Sequence, residues 1–363
     1  MRAAVLHRQR EPMTIEEVEL DPPKEGEVLV KIVASGVCHS CLHAADGSWA
    51  NVQTPIVLGD EGAGVVEAVG PGIRNVQPGD HVILSWAPNC GRCRYCAIGR
   101  PVLCERRAPG AGVLLDGTTR MRLRGQPVYH YGYVATFATY SVVPESSAIP
   151  IRKDMPLEKA ALIGCSVMTG TGAVLNTAKV PAGASMAVFG AGGIGLNVVQ
   201  GGRIAGAHPI IAVDVRANKL EYAQGLGATH AVDASREDPI EAIKRITGRG
   251  ADYSFVAVGD TRAIQQAFEC LAPGGLCVVI GLPPTGETVT LDPRRFVGGE
   301  RAIVGSSYGS ARTWADFPRM VDLYMAGILK IDELITRRYA LDEVNEAFRA
   351  LAAGEVARSI LVM

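Results

Sequence analysis

The sequence predicts a mixed α/β protein of two domains: a β-rich half, then a doubly wound parallel sheet. Three observations carry this. From residue 1 to about 165 the chain shows short β-rich runs broken by Gly and Pro. Beyond that point, continuous apolar runs alternate with helical stretches, the pattern of a parallel sheet covered on both faces. The segment Gly190-Ala-Gly192-Gly193-Ile194-Gly195 follows one of those runs and opens a helical stretch. The chain has 363 residues, enough for about two domains. At 48% hydrophobic and 20% charged it supports a large core and is not a disordered chain.

The opening residues 1–6 read as a first strand and lack the apolar stretch of a secretory leader. Further strands are expected at 28–33, 62–69 and 81–84, with turns at Pro71-Gly72 and Pro78-Gly79-Asp80, and no long helical period before residue 165. In the second half, strands are expected at 185–189, 209–213, 253–258, 275–280 and 301–305. Helices follow at 314–325 and 341–353, then a closing strand at 359–363. No apolar run reaches the roughly 18 to 20 residues of a membrane span. A net charge of −1 argues against nucleic acid or an acidic membrane surface as partner. Nine cysteines without an export signal point to metal binding in a reducing compartment, hence a cytoplasmic protein.

Cys90, Cys93, Cys96 and Cys104 crowd into fifteen residues flanked by Gly91, Gly99 and Pro101. Four thiolates at this spacing close a tetrahedral shell around one zinc ion, with no position left for substrate. In the glycine-rich segment, Gly190 permits the tight turn, Gly192 lets the backbone approach a pyrophosphate, and Gly195 lets helix and strand pack closely. Asp214, 19 residues beyond Gly195, ends the next strand. Its carboxylate suits the two hydroxyls of an adenosine ribose and repels a 2′-phosphate, which favours NAD over NADP. Arg216 blurs that preference.

Cys38 sits in Gly36-Val-Cys38-His39-Ser40-Cys41-Leu-His43, and Gly59-Asp60-Glu61-Gly62 and Gly164-Cys165 follow. Alone, Cys38 reads as a core cysteine, and Ser40 and His43 as turn and surface residues. Together with the cysteine loop and the glycine turn, these residues resemble the zinc-dependent medium-chain alcohol dehydrogenases over the whole chain. The segment from Gly112 to Tyr131 is most similar to the class III-type branch. The resemblance implies a GroES-like catalytic domain over 1–166 with the zinc loop at 88–105, and a Rossmann domain over 167–305. Residues 306–363 would return to the catalytic domain, and the active site would lie in the cleft. It implies that Cys38 and Cys165 ligate a catalytic zinc with Glu61 behind it, and that Ser40 passes the alcohol proton through the nicotinamide ribose to His43. His39 and Arg358 would contact the pyrophosphate, Lys219 the ribose beside Asp214, and Thr169 the nicotinamide. The backbone near Ile280, Leu282 and Tyr308 would face the carboxamide. A homodimer or homotetramer is implied, with residues 301–305 as the edge strand.

The chain departs from the family pattern at two positions. Asp60 stands where the family has His, and Cys41 where it has Asp. The expectation is that Asp60 ligates the metal itself and that Cys41 replaces an unneeded supporting acid; a bolder version lets Cys41 ligate as well. The expected function is hydride transfer between an alcohol and NAD. A reductase of an activated C=C or C=N bond and a redox-inactive NAD-binding scaffold are the alternatives. The loop 45–53 is poor in acids, which disfavours a glutathione adduct as substrate, and Trp49 suggests an aromatic or medium-chain alcohol. Cys270 and Cys277 read as small hydrophobes. The basic run 100–107 and the cluster Arg120, Arg122 and Arg124 read as solvated.

Overall fold

A computed structural model describes residues 1–50, 52–106 and 112–363. Asn51 of the Trp49 loop and Arg107 of the basic run lie outside the described residues. The chain divides into two compact units, one of residues 1–165, 312–327 and 331–363, the other of 166–311 and 328–330.

The described residues of the first unit form two sheets. One runs in the order Ala148–Ile151, His81–Leu84, Gly62–Val69, Glu27–Gly36, Arg358–Val362, Ile335–Ala340, with Tyr140–Pro144 also on Glu27–Gly36. Val28, Val30 and Ile32 alternate into a core with Val66, Val82 and Leu84, so period-2 patterning fixes which face is buried. Glu27–Gly36 is the organising strand. It ends two residues before Cys38, and its last residues pair with both Gly62–Val69 (Ser35 opposite Gly62) and the closing strand (Gly36 opposite Ile360). Residues distant in sequence therefore meet at one strand end. The second sheet contains Arg2–Leu6 and the Met121–Leu123/Gln126–His130 hairpin.

Two expectations need correction here. A continuous helical stretch runs from Leu157 to Ala178, beginning before residue 165, with π-helical turns at Ile163–Val167 and Ala173–Ala178. It is apolar and long enough to cross a membrane by length and composition alone, but most of it is buried inside the fold, so it is a core helix. Its small residues and lack of amphipathic contrast hid its period. Arg120 is not solvated: it is 1% exposed and ion-paired with Glu27 and Asp116, whereas Arg122 is half-exposed and paired with Asp21.

The second unit holds a six-stranded parallel sheet. Its order is His230–Asp233, Ile210–Asp214, Met186–Phe189, Ala251–Val256, Leu271–Val279, Ala302–Gly305. Numbered along the unit this is 3-2-1-4-5-6, the doubly wound order that places a ligand crevice between the first and fourth strands. The His230–Asp233 strand escaped the sequence reading because half of it faces solvent, leaving no apolar run. Ala302–Gly305 is at the sheet edge.

Candidate active site

Cys90, Cys93, Cys96 and Cys104 bring their sulfurs within 4.8 Å of one another. Backbone N–H groups of Cys90, Cys93 and Arg106 donate to the sulfurs of Cys104, Cys90 and Cys104 at 3.3, 3.3 and 3.4 Å. Such donors favour thiolates: backbone N–H groups, that of Cys96 foremost, draw Cys93 down to about 6, while burial pushes Cys96 up to about 12. Four acidic groups in so little space compete for ionisation, and a dication removes the conflict. None of the nine cysteines forms a disulfide.

A second cluster is assembled from three distant segments. Cys38 leaves the Glu27–Gly36 strand and caps the helix His39–Asp46 in an extended conformation. Asp60 follows Gly59, whose φ of 97° favours glycine and where a Cβ would lie 2.4 Å from the Thr136 hydroxyl. Cys165 rides on a π-helical turn, a distortion frequent at functional sites. The ligand atoms of Cys38, Asp60 and Cys165 lie within 4.8 Å of one another and all three residues are buried. Burial, then the charge of Cys38, pushes Asp60 well up; its hydrogen bond with Cys38 raises Cys165 and correspondingly lowers Cys38. Two sulfurs and an oxygen of this character, dry and mutually repelling, fit a zinc ion and leave its fourth position open. Cys41 is not among the three mutually close atoms. Its thiol donates to Asp60 Oδ1 at 3.5 Å, and the Ser40 hydroxyl donates to Asp60 Oδ2 at 2.5 Å.

Glu61 is fully buried beside this cluster, its Oε2 2.5 Å from Arg358 Nη2. A Cβ at Gly36 would sit 2.1 Å from that oxygen, so glycine there makes room for the acid. Burial alone would lower Arg358, but the charges of Glu61, Cys38 and Cys165 hold it above its ordinary value. Arg358 Nη1 also donates to the Val37 carbonyl at 3.4 Å. The structure thus places Arg358, 3% exposed, against Glu61. On the helix after Cys38, His39 is exposed and His43 half-buried, their rings 6.2 Å apart; the Trp49 ring lies 5.6 Å from His43, tilted by 47°.

In the second unit, Gly190 adopts a φ of 90° and Gly192 caps the helix Gly193–Ala205 without side-chain help. A Cβ at Gly195 would meet the Gly190 carbonyl at 1.7 Å, whereas one at Gly192 would enter open space. That opening, before helix N–H groups with no acidic side chain in the first turn, fits a pyrophosphate. Asp214 accepts from the backbone N–H groups of Ala191 at 2.8 Å and Arg216 at 3.0 Å, which fixes its carboxylate at the strand end. Ile194 and Lys219 are half-buried, Thr169 and Tyr308 buried, Ile280 half-buried and Leu282 64% exposed.

Residues 24–153 match the alcohol dehydrogenase GroES-like domain and residues 193–326 the zinc-binding dehydrogenase domain. The chain is 42% identical over 372 residues to the S-(hydroxymethyl)glutathione dehydrogenase of Paracoccus denitrificans, covering 99% of each. It belongs to the zinc-binding alcohol dehydrogenases. Among solved structures, this alcohol dehydrogenase is similar to an alcohol dehydrogenase zinc-binding domain protein from Burkholderia ambifaria (37% identity, TM-score 0.95, covering 100% of this chain and 98% of that one). It is also similar to the benzyl alcohol dehydrogenase of Acinetobacter calcoaceticus (33% identity, TM-score 0.94, covering 100% and 99%).

Sequence reasoning gave no role to two aromatic residues that this dehydrogenase sets at the metal cluster. Tyr131 is a hydrogen-bond partner of Ser40; burial raises its phenol well above the ordinary range, and the charges of Cys41, Asp60 and Cys38 add to that. Trp86 and Asp60 both border Gly132, where a Cβ would fall 3.1 Å from the Trp86 Cβ and 3.6 Å from that of Asp60. The available signal was their position: Trp86 precedes the cysteine loop by four residues, and Tyr131 precedes a glycine in a left-handed turn.

Proposed function

We propose that this alcohol dehydrogenase interconverts an alcohol with its aldehyde or ketone, with NAD as hydride partner and zinc at two centres. The observation that carries the reading is the convergence of Cys38, Asp60 and Cys165 at one buried point. When bound there, zinc supplies a Lewis acid that makes the alcohol proton easier to remove, and NAD supplies the hydride acceptor. The chain's own residues do the rest. Cys38, Asp60 and Cys165 hold the metal, with Glu61 and its partner Arg358 behind them. Ser40 Oγ takes the alcohol proton as it gives up its own hydroxyl proton, which His43, whose Nδ1 is buried without a hydrogen-bond partner among the described residues, carries towards water. Gly190, Gly192, Gly193, Ile194 and Gly195 cradle the pyrophosphate, together with His39. Asp214 and Lys219 hold the adenosine ribose. Thr169, Ile280, Leu282 and Tyr308 border the nicotinamide. The first unit serves as the catalytic domain and the second as the nucleotide domain, in a cytoplasmic enzyme.

Trp49, Trp86 and Tyr131 favour an aromatic or medium-chain alcohol. The loop carrying Trp49 is tied down by Gln9, whose Nε2 donates to the carbonyls of Ala44 at 2.8 Å and Trp49 at 3.0 Å. Its acid, Asp46, is turned to the Ser48 N–H. The sheet-edge position of Ala302–Gly305, with Val304 38% exposed and Val297 84% exposed nearby in sequence, favours assembly of two or four chains through that edge. A panel of benzyl alcohol, straight-chain alcohols and S-(hydroxymethyl)glutathione with NAD, followed by NADH absorbance, tests the substrate reading. Benzyl alcohol should lead in kcat/KM. Turnover confined to the glutathione adduct would overturn the substrate class. NADH binding without turnover of any alcohol, carbonyl or alkene would overturn the enzyme reading.

A further inference from the structure

Asp60 is approached by two donors from a single helical turn. Ser40 and Cys41 are the second and third residues of the helix His39–Asp46, which starts directly after Cys38. Ser40 Oγ donates to Asp60 Oδ2 at 2.5 Å, and Cys41 Sγ donates to Asp60 Oδ1 at 3.5 Å. One donor on each oxygen fixes the plane of the carboxylate, because rotation about its Cβ–Cγ bond would break both contacts. Each carboxylate oxygen keeps a further lone pair, so one oxygen remains available beside Cys38 and Cys165.

We propose that Ser40 and Cys41 are positioning residues that orient the Asp60 carboxylate to complete the metal triad with Cys38 and Cys165. The inference rests on reading that triad as the catalytic metal centre. A short acidic side chain has little reach, and its torsions must be held if it is to meet two sulfurs carried by other segments. A ligating group whose outer contacts are lost binds its metal about 10- to 100-fold more weakly. The residue types also agree. A carboxylate at position 41 would face Asp60 with like charge, whereas a thiol presents a neutral donor of the right length. In the resting chain the Ser40 hydroxyl hydrogen points at Asp60 Oδ2, which leaves its oxygen lone pairs to face an alcohol. Its role here therefore extends to the metal, beyond that of a relay.

The test uses the full-length zinc-loaded protein. Zinc per chain is measured by elemental analysis, the hold of each ion by competition with a graded chelator, and the ligand field by the visible spectrum after cobalt replacement. In the unmodified protein two zinc ions are expected, and one in Asp60→Ala. Ser40→Ala and Cys41→Ala should keep the loop zinc but bind the second ion about 10- to 100-fold more weakly, with altered cobalt bands. Ser40→Thr and Cys41→Ser keep a donor and should recover most of that affinity. Ser40 is only half-buried, so Ser40→Ala is the deciding variant should Cys41→Ala fold poorly. If Ser40→Ala holds its second zinc as tightly as the unmodified protein, with unchanged cobalt bands, the positioning role is wrong while the metal centre stands. If the unmodified protein holds one zinc only, the metal-centre reading itself fails.

Discussion

The two metal clusters of this dehydrogenase are built on opposite plans. The four-cysteine knot draws all its ligands from fifteen consecutive residues, and its sulfurs are held by N–H groups of the same loop. Cys90 and Cys96 are half-buried. The Cys38, Asp60 and Cys165 cluster draws its ligands from three segments spread over more than a hundred residues, and every member is buried. A local knot costs little chain entropy to close and can form almost alone. The assembled cluster stands on long-range strand pairing, Ser35 opposite Gly62, with the buried Glu61–Arg358 pair beside it. A closed local site belongs to stability and an assembled open one to chemistry, and substitutions should separate the two.

The largest effect is expected at the assembled site. Cys165→Ser should leave one zinc per chain and lower kcat/KM by about 10⁴-fold, measured with the best alcohol of the panel. Similar loss from a knot variant would break the contrast. Next comes the support under the cluster. Glu61→Gln leaves Arg358 a buried cation without its partner and should cost about 3 to 4 kcal/mol in urea unfolding. Adding Arg358→Met should return much of it. Third is the knot. Cys96→Ser should release the loop zinc and lower the thermal midpoint by about 4 °C, a loss of about 3 kcal/mol, while the second zinc stays bound. The smallest effect involves neither metal. Burial, then the charge of Arg120, lowers His130 to about 3 from its ordinary 6.5. A histidine held neutral in the fold stabilises it above the unfolded value, and that contribution fades as pH falls from 6.5 towards 3. Between pH 7.5 and pH 5, in excess zinc, the unmodified protein should lose about 2 kcal/mol more than His130→Gln. Equal slopes would show that His130 is not held neutral.

What could be read in advance follows the same division. The cysteine knot, the glycine turn and Asp214 were legible because their chemistry lies within short spans whose spacing is dictated by an ion or a phosphate. The strands at 62–69 and 81–84 matched because alternation or a short apolar run between turns leaves few other structures open. The Glu61–Arg358 pair, 297 residues apart, has no spacing to betray it. Arg120 looked solvated because three arginines in five residues suggest a surface, yet Glu27, 93 residues away, waits for it in the core. The helix Leu157–Ala178 was hidden by being apolar on every side. Ser40 and Cys41 were noticed, but their shared grip on Asp60 depends on how one helical turn meets a loop twenty residues on.

The closing strand carries a consequence for biosynthesis. Arg358 follows Glu61 by 297 residues, and its strand is inserted between Glu27–Gly36 and Ile335–Ala340 instead of being laid on an edge. Val37, next to Cys38, donates its N–H to the Ser359 carbonyl. A nascent chain still lacking these residues has its cysteine knot fully translated but no neutralising partner for Glu61. On the ribosome, then, the loop can capture its ion early, while the chemically active pocket must wait for Arg358, made long after the loop.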